Sequence, residues 1–287
     1  MSAVVLIFLG AGALFAYEPG FVFLTTPGTA YSLSLGENTA SLSGRLTLFG
    51  SNPASLFSDK KFEASCSYIS RFGELRYSSL LLLYNRNWFH ITGAFFIGGV
   101  SDIEARQSPT DRPDYLFSSR DIEYSLTVSA TPWRFLSVGA TAKGIYEKLS
   151  VYDARGSGFD IGLLVSHRWV SFGVAVQNYG GSSRFEQYYF ELPLTYKAAI
   201  SVYPRDDISL LFGFTKPDYA SGIENVAVEY TYRHILSLRG AYIIGGDSQR
   251  FAFGLGVLLG MFSFDYGYGY SASVLGDTYT LGVNFAL

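Results

Sequence analysis

The stretch from Met261 to Leu287, MFSFDYGYGYSASVLGDTYTLGVNFAL, limits what this chain can fold into more than any other. In steps of two, Phe262, Phe264, Tyr266, Tyr268 and Tyr270 share one face of an extended segment, while Ser263, Asp265, Gly267 and Gly269 share the other. Tyr279, Leu281, Val283, Phe285 and Leu287 repeat the arrangement against Thr278, Thr280, Gly282, Asn284 and Ala286. Alternation alone also fits a water-soluble sandwich. The residue types separate the two: a soluble sheet puts Lys and Glu on its wet face, whereas here the second face is mostly Gly, Ser, Thr and Ala. Small residues suit a crowded concave interior and bulky ones suit lipid, which is the pattern of a transmembrane β-barrel.

Composition agrees. Only 16% of residues are charged, against roughly 25% in ordinary soluble domains. No run beyond the N-terminus approaches the roughly 20 apolar residues of a spanning helix. With 22 Tyr, 24 Phe and 31 Gly, the remaining way to cross a bilayer is a closed sheet that pairs every backbone polar group. A net charge of -3 argues against a nucleic-acid surface. The single cysteine, Cys66, excludes an intrachain disulfide and a cysteine zinc cluster. His90 alone lies well inside a predicted strand, His167 and His234 fall at turns, and no Ser-His-carboxylate set, His-Glu-x-x-His or Gly-Lys-Ser/Thr motif is present. The expectation is therefore a protein that is not an enzyme, with no catalytic residue, no cofactor and no metal.

Three segments divide the chain. Residues 1–16 contain AVVLIFLGAGALFA, an apolar run of signal-peptide length with a small residue before Tyr17, although no Lys or Arg precedes Arg45. A membrane anchor is the other reading of a run this short. Residues 17–58 lack the period of two and are punctuated by Gly28, Gly36, Gly44 and Gly50, as expected of a hatch or plug placed before the wall. Within it, Pro53 lacks an N–H and pushes Asn52 toward extended geometry, so Asn52-Pro53-Ala54-Ser55-Leu56 reads as the turn from plug into wall.

Residues 59–287 read as an antiparallel up-and-down barrel. The expected strands are 60–70, 75–85, 88–98, 121–131, 134–148, 157–167, 169–178, 194–203, 207–215, 223–233, 235–244, 249–258, 261–270 and 277–287, about fourteen and even in number as such barrels require. Connections alternate between tight ones and longer ones at 99–120, 149–156, 179–193 and 216–222, which places both termini at the periplasmic rim. The strand at 75–85 stands apart because Leu80 to Leu83 is apolar on both faces, as for a strand packed on the hatch.

Parity places Glu123, Lys143, Glu147, Asp160, Lys197, Glu229, Arg239 and Asp265 inward. Glu229, Arg239 and Asp265 fall on neighbouring or near-neighbouring strands, and with Lys197, Lys143 and Glu123 they form the candidate polar network of the lumen. Such a network either holds wall and hatch in register or binds a solute.

Several short motifs in order carry a resemblance. Gly28 to Ala30, Leu35-Gly36-Glu37, Asn52-Pro53-Ala54-Ser55-Leu56, Val176-Gln177-Asn178, Leu192-Pro193, Val228-Glu229-Tyr230, Leu238-Arg239-Gly240-Ala241-Tyr242 and Phe264-Asp265-Tyr266 resemble the PorV/PorQ family, which belongs with the FadL-like outer-membrane barrels. Ser55 stands where that family often has Gly, and the acidic pair usual upstream of its Asn-Pro motif is absent. The resemblance implies residence in the bacterial outer membrane, with lipid as a partner, and a hatch motif at Asn52, Pro53 and Ala54. It implies one of two roles. The first is passage of hydrophobic or amphipathic small molecules. The second is an accessory role in type IX protein secretion, binding exported proteins or the secretion complex through loops such as 101–120.

Overall fold

The computed structural model describes residues 19–26, 28–106, 111–181, 183–185, 188–245, 249–271 and 276–287. The expected signal peptide, residues 1–16, lies outside them. The wall begins with β1 (Phe62–Arg71), β2 (Leu75–Arg86) and β3 (Phe89–Gly99), followed by a small ribbon of β4 (Ile103–Ala105) and β5 (Tyr115–Phe117). It continues with β6 (Ser119–Trp133), β7 (Leu136–Leu149), β8 (Tyr152–His167) and β9 (Val170–Gly180), then a second ribbon of β10 (Ser183–Phe185) and β11 (Tyr188–Phe190). The remaining wall strands are β12 (Thr195–Arg205), β13 (Ile208–Pro217), β14 (Ile223–Tyr232), β15 (Leu236–Ile244), β16 (Gln249–Leu259), β17 (Phe262–Ser271) and β18 (Thr278–Ala286).

Leaving out the two ribbons, fourteen antiparallel strands close into one barrel, each paired with its sequence neighbour in the wall. β1 meets β18 along a register from Glu63 opposite Ala286 to Arg71 opposite Thr278. Closure removes the edges, so each strand's N–H and C=O groups find partners within the wall.

Side chains divide as the alternation implied. Phe262, Phe264, Leu281 and Val283 point outward with 46%, 46%, 58% and 45% of their surface exposed. Asp265, Thr278 and Thr280, one residue out of step, are buried. On β2, Leu80 and Leu82 face out while Leu81 and Leu83 pack inward with Leu42, Leu46, Leu48 and Leu56 of the N-terminal segment. That is why this one strand is apolar on both faces. The three tryptophans, Trp88, Trp133 and Trp169, lie at or beside the two-residue turns 87–88, 134–135 and 168–169, all on one rim. An amphipathic ring at the headgroup level marks the membrane interface there. The same rim carries the turns 206–207, 233–235 and 260–261 and both ends of the wall, and the opposite rim carries the longer loops and both ribbons together with the short turns 72–74 and 150–151.

Two details differ from the sequence expectation. No long loop spans 149–156: β7 and β8 continue to a two-residue turn, with Lys148 opposite Asp153 and Leu149 opposite Tyr152. The apolar face ends there because the hairpin rises above the lipid, but backbone pairing does not need lipid and carries on. The second is a bulge in β9. The register shifts between Phe159 and Ile161 of β8, and Asn178 takes a left-handed φ of 59°. A bulged strand bends and re-aims its side chains, here burying Asn178 directly after Gln177, beside Asp160 of β8.

Leu126 sits at the middle of the outward face of β6 and is 54% exposed. Leu126→Arg is expected to destabilise the barrel in lipid vesicles by about 2–4 kcal/mol, read by denaturant titration. An effect near zero would place that face away from the acyl chains.

Candidate functional site

The lumen is filled by the chain's own N-terminal segment. It contains a 3-10 turn at Val22–Thr25, helix α1 (Ala30–Ser34), and further 3-10 turns at Leu46–Leu48 and Pro53–Ser55. Thr29 caps α1 by accepting a hydrogen bond from Ser32 N at 3.1 Å. So little regular structure leaves many backbone groups unpaired inside the barrel, and the wall's polar side chains pair with them. From the wall, Asn225 Nδ2 donates to Leu35 O at 2.8 Å; in the reverse direction Asn38 Nδ2 of the segment donates to the wall carbonyls Ala198 O and Phe214 O at 3.1 and 2.9 Å. Ser171 Oγ donates to Ser41 O at 2.6 Å, and Ser79 Oγ to Gly28 O at 2.9 Å. These anchors fall on β2, β9, β12, β13 and β14, so the segment is tied around most of the circumference.

Asn52, Pro53 and Ala54 are all buried. Asn52 Nδ2 donates to Ala40 O and Leu163 O at 2.8 and 3.1 Å, its Oδ1 accepts from Ala54 N at 3.0 Å, and Ser129 Oγ donates to Pro53 O at 2.7 Å. The turn therefore also clips the segment onto β6 and β8. It lies so close to the wall that a Cβ on Gly162 would stand 1.9 Å from Asn52 Oδ1, and one on Gly139 2.4 Å from the Pro53 carbonyl carbon. Small wall residues admit the plug's backbone at these points.

The six polar residues expected to form one network divide into groups. Glu229, Arg239 and Asp265 come together: Arg239 Nε donates to Glu229 Oε1 at 3.0 Å and Arg239 Nη1 to Asp265 Oδ1 at 2.7 Å. Gly256, on the intervening β16, makes the second contact possible, since a Cβ there would meet Arg239 Nη2 at 2.5 Å and Asp265 Oδ1 at 2.7 Å. Tyr31 of α1 completes the cluster by donating its hydroxyl to Glu229 Oε2 at 2.8 Å, with the Arg239 guanidinium 4.3 Å from its ring centre. Burial and the neighbouring Glu229 charge push the Tyr31 hydroxyl's pKa well up, so it stays a donor. Arg45 approaches Glu229 at 3.8 Å, and Asn284 Nδ2 donates to Asp265 Oδ2 at 2.8 Å. Sequence reading missed Tyr31, Arg45 and Asn284: the first two lie where no periodicity assigns a direction, and the third lacks a charge.

Lys143 belongs to a different group, at the β9 bulge. Its Nζ contacts Asp160 Oδ2 and Asn178 Oδ1, both at 2.9 Å, and Asn178 N donates to Asp160 Oδ1 at 2.8 Å. Glu123, two strands along the wall from Asp160, is buried, with Oε1 unpartnered. Lys197 stands alone on β12, donating to Gly50 O of the plug at 3.0 Å.

Between the plug and the long-loop rim lies a cavity of about 210 Å³. Phe23, Leu24, Phe49, Phe96, Ile223 and Ile243 supply an apolar patch, and the rest of the lining is mostly polar, with Glu37, Arg71, Glu123, Lys143, Asp160 and Lys197 carrying charge beside Gln177, Asn178 and several Ser and Thr residues. No hydrogen bond or ion pair reaches the Glu37 carboxylate among the described residues. Burial pushes its pKa up from the ordinary 4.5, against the pull of Arg71 and Lys197. The cavity thus sets an apolar patch beside both cationic and acidic groups.

Wall, girdle and filled lumen together define an outer-membrane-type β-barrel plugged by its own N-terminal segment. Its fold is similar to that of the toluene transporter TbuX of Ralstonia pickettii, at 12% identity, covering 93% of this chain and 100% of that one, with a TM-score of 0.68. The P. putida toluene transporter TodX is similar at 11% identity, 90% and 98% coverage and a TM-score of 0.70. The monoaromatic hydrocarbon channel CymD gives 13% identity, 92% and 98% coverage and a TM-score of 0.66. No family model and no curated protein matches the chain. The closed antiparallel barrel of fourteen strands expected from the sequence is the fold observed.

Removing one partner of a buried ion group strands the others. Arg239→Met is expected to cost about 3–5 kcal/mol, and Tyr31→Phe, which loses one bond to a charged acceptor, about 1.5–3 kcal/mol. Both are read as loss of the compact, heat-modifiable band on unboiled gels as temperature rises. Equal and negligible shifts would mean that the cluster does not tie plug to wall. The raised Glu37 pKa favours the protonated form in the fold, so its contribution is full below pH 4.5 and falls as pH rises. Glu37→Gln should therefore remove part of the wild-type decline in melting temperature from about pH 4.5 upward. An unchanged slope would show the carboxyl to be solvated in both states.

Proposed function

We propose that this barrel carries small apolar or amphipathic molecules across the outer membrane, holding them in the cavity above the N-terminal segment, which acts as the hatch. The observation that carries the reading is the cavity's size and mixed lining. An apolar cavity of about 150 Å³ takes up benzene, so 210 Å³ suits one small ring or a short chain. Lys197 and Glu37 suit a polar end group on an otherwise apolar molecule. TbuX and TodX are toluene transporters and CymD is a monoaromatic hydrocarbon channel, in agreement with this class of cargo.

The alternative is an accessory role in type IX secretion, in line with the PorV/PorQ resemblance. Its specific support is the β4–β5 ribbon, which extends the long-loop rim and exposes Tyr115 and Leu116. The presence of type IX secretion genes in the same genome favours that role, and their absence removes it.

Iodobenzene soaked into crystals tests the passage reading. The iodine's anomalous signal is expected between Phe96 and Ile243, and Ile243→Trp, which fills that space, should abolish it and cut cellular uptake of labelled toluene several-fold. Uptake unaffected by the substitution, or sugar permeability matching a general porin, would overturn the reading.

A further inference from the structure

One sector of the lumen differs from the rest in its unsatisfied polarity. Among the described residues, six of the ten buried side-chain polar atoms without a hydrogen-bond partner fall on adjacent strands: Asn85 Oδ1 on β2, both ring nitrogens of His90 and Thr92 Oγ1 on β3, and Ser125 Oγ and Glu123 Oε1 on β6. Of the other four, Ser67 and Thr280 lie on the neighbouring β1 and β18, while Thr39 and Ser166 lie apart. His90 and Thr92 are only 3% and 1% exposed.

The pairing register stacks these groups into a column. Asn85 lies opposite His90, His90 opposite Ser129, Thr92 opposite Thr127, Ala94 opposite Ser125, and Phe96 opposite Glu123. Directly opposed side chains stand within about 5.5 Å of each other at Cβ and diagonal ones within about 7–8 Å, so successive members of the column are near enough for small molecules to bridge them. Three members already have protein partners: Ser129 Oγ donates to Pro53 O, Thr127 shares a 2.8 Å bond with Thr141, and Asn85 Nδ2 donates to Ser58 O, which leaves only its Oδ1 open. The upper end, at Glu123, opens on the 210 Å³ cavity. The lower end, at His90 and Asn85, opens on a recess at the short-turn rim shared with Phe57, Ser58 and Thr131.

Two plug residues separate these openings. Leu56 lines the upper cavity and packs against Leu81 and Leu83 of β2. Phe57 lines the lower recess, its ring centre 5.9 Å from that of His90. Buried polar groups in folded proteins nearly always have protein or water partners. A run of them joining two openings is a lining suited to molecules that exchange hydrogen bonds as they move. Apolar cargo would leave every one of these groups unpaired.

We propose that the β2–β3–β6 column is a hydrophilic passage for water and small uncharged hydrogen-bonding solutes such as glycerol. It runs from the upper cavity past Leu56 and Phe57 to the short-turn rim. This conduction goes beyond the carriage of apolar molecules and does not depend on it. Leu56 and Phe57 set the passage's width, and Thr92 and Ser125 supply bonds at its middle.

Stopped-flow light scattering on proteoliposomes loaded with the full-length barrel tests this, with glycerol as the permeant. The wild type should exceed protein-free vesicles, and Leu56→Ala should raise the rate several-fold. Adding Thr92→Val and Ser125→Ala, which keep shape but remove the hydroxyls, should bring that rate back toward wild type. Phe57→Ala is the second opening variant if Leu56→Ala does not fold, as judged by heat-modifiable gel migration. An opening variant no faster than wild type, or a rate that the two hydroxyl deletions leave unchanged, would overturn the proposal. The iodobenzene signal in the upper cavity responds to neither deletion, so failure of this passage and failure of the apolar reading are separate results.

Discussion

A backbone group in lipid has no water to turn to, and this forces the wall to close and its inner face to meet whatever fills the barrel. The filling here is another part of the same chain, mostly irregular, with its own backbone groups to satisfy. The consequence is a wall that is chemically inverted relative to a soluble core. Bulky groups such as Phe264 and Leu281 face acyl chains, while Asn225, Ser171 and Ser79 turn inward and donate to plug carbonyls. Glycine enters for the same reason. Where the plug runs closest, as at Gly162 against Asn52, even one carbon on the wall would overlap it.

The ion cluster follows from this arrangement. An arginine between two carboxylates stabilises little by itself when buried, because desolvation offsets much of the Coulomb gain. Its effect lies in specificity. Arg239 holds Glu229 and Asp265 on strands either side of it, Tyr31 reaches the same Glu229 from α1, and Gly256 keeps the space open. A plug shifted by one residue would lose the Tyr31 bond and leave a buried carboxylate short of a donor. The cluster thus sets where the plug sits, and with it the floor of the cavity above.

How much of this could be read from the sequence depends on which force placed each residue. Strand faces were legible because lipid and lumen select opposite side chains at a period of two, so the fourteen strands, the inward parity of Glu229 and Asp265, and the odd character of β2 all follow from pattern. The extent of the β7–β8 hairpin did not, since above the membrane nothing selects for bulk and the alternation fades while the ladder continues. The partition of Lys143, Lys197 and Arg239 into separate groups was equally hidden, because parity gives direction but not position around the circumference. Tyr31, Asn38 and Arg45 lie in a segment placed by contacts with strands far along the chain, and no local rule points to them.

The same division explains why the lumen has two chemistries side by side. Toward β14 and β15 the plug presents Leu35 and Phe49 to Ile223 and Ile243, and carbon meets carbon. Toward β3 and β6 its backbone turns at Pro53 and leaves after Phe57, so the wall's hydroxyls beyond Ser129 face no carbonyl that could accept from them. A segment of this length cannot satisfy a ring of fourteen strands evenly. It covers part of the wall with side chains, part with backbone and part with neither, and the uncovered polar part is where water gains most by entering. Filling the barrel with this segment therefore leaves the polar column as a geometric consequence, and the bulk of Leu56 and Phe57 beside it limits what can pass.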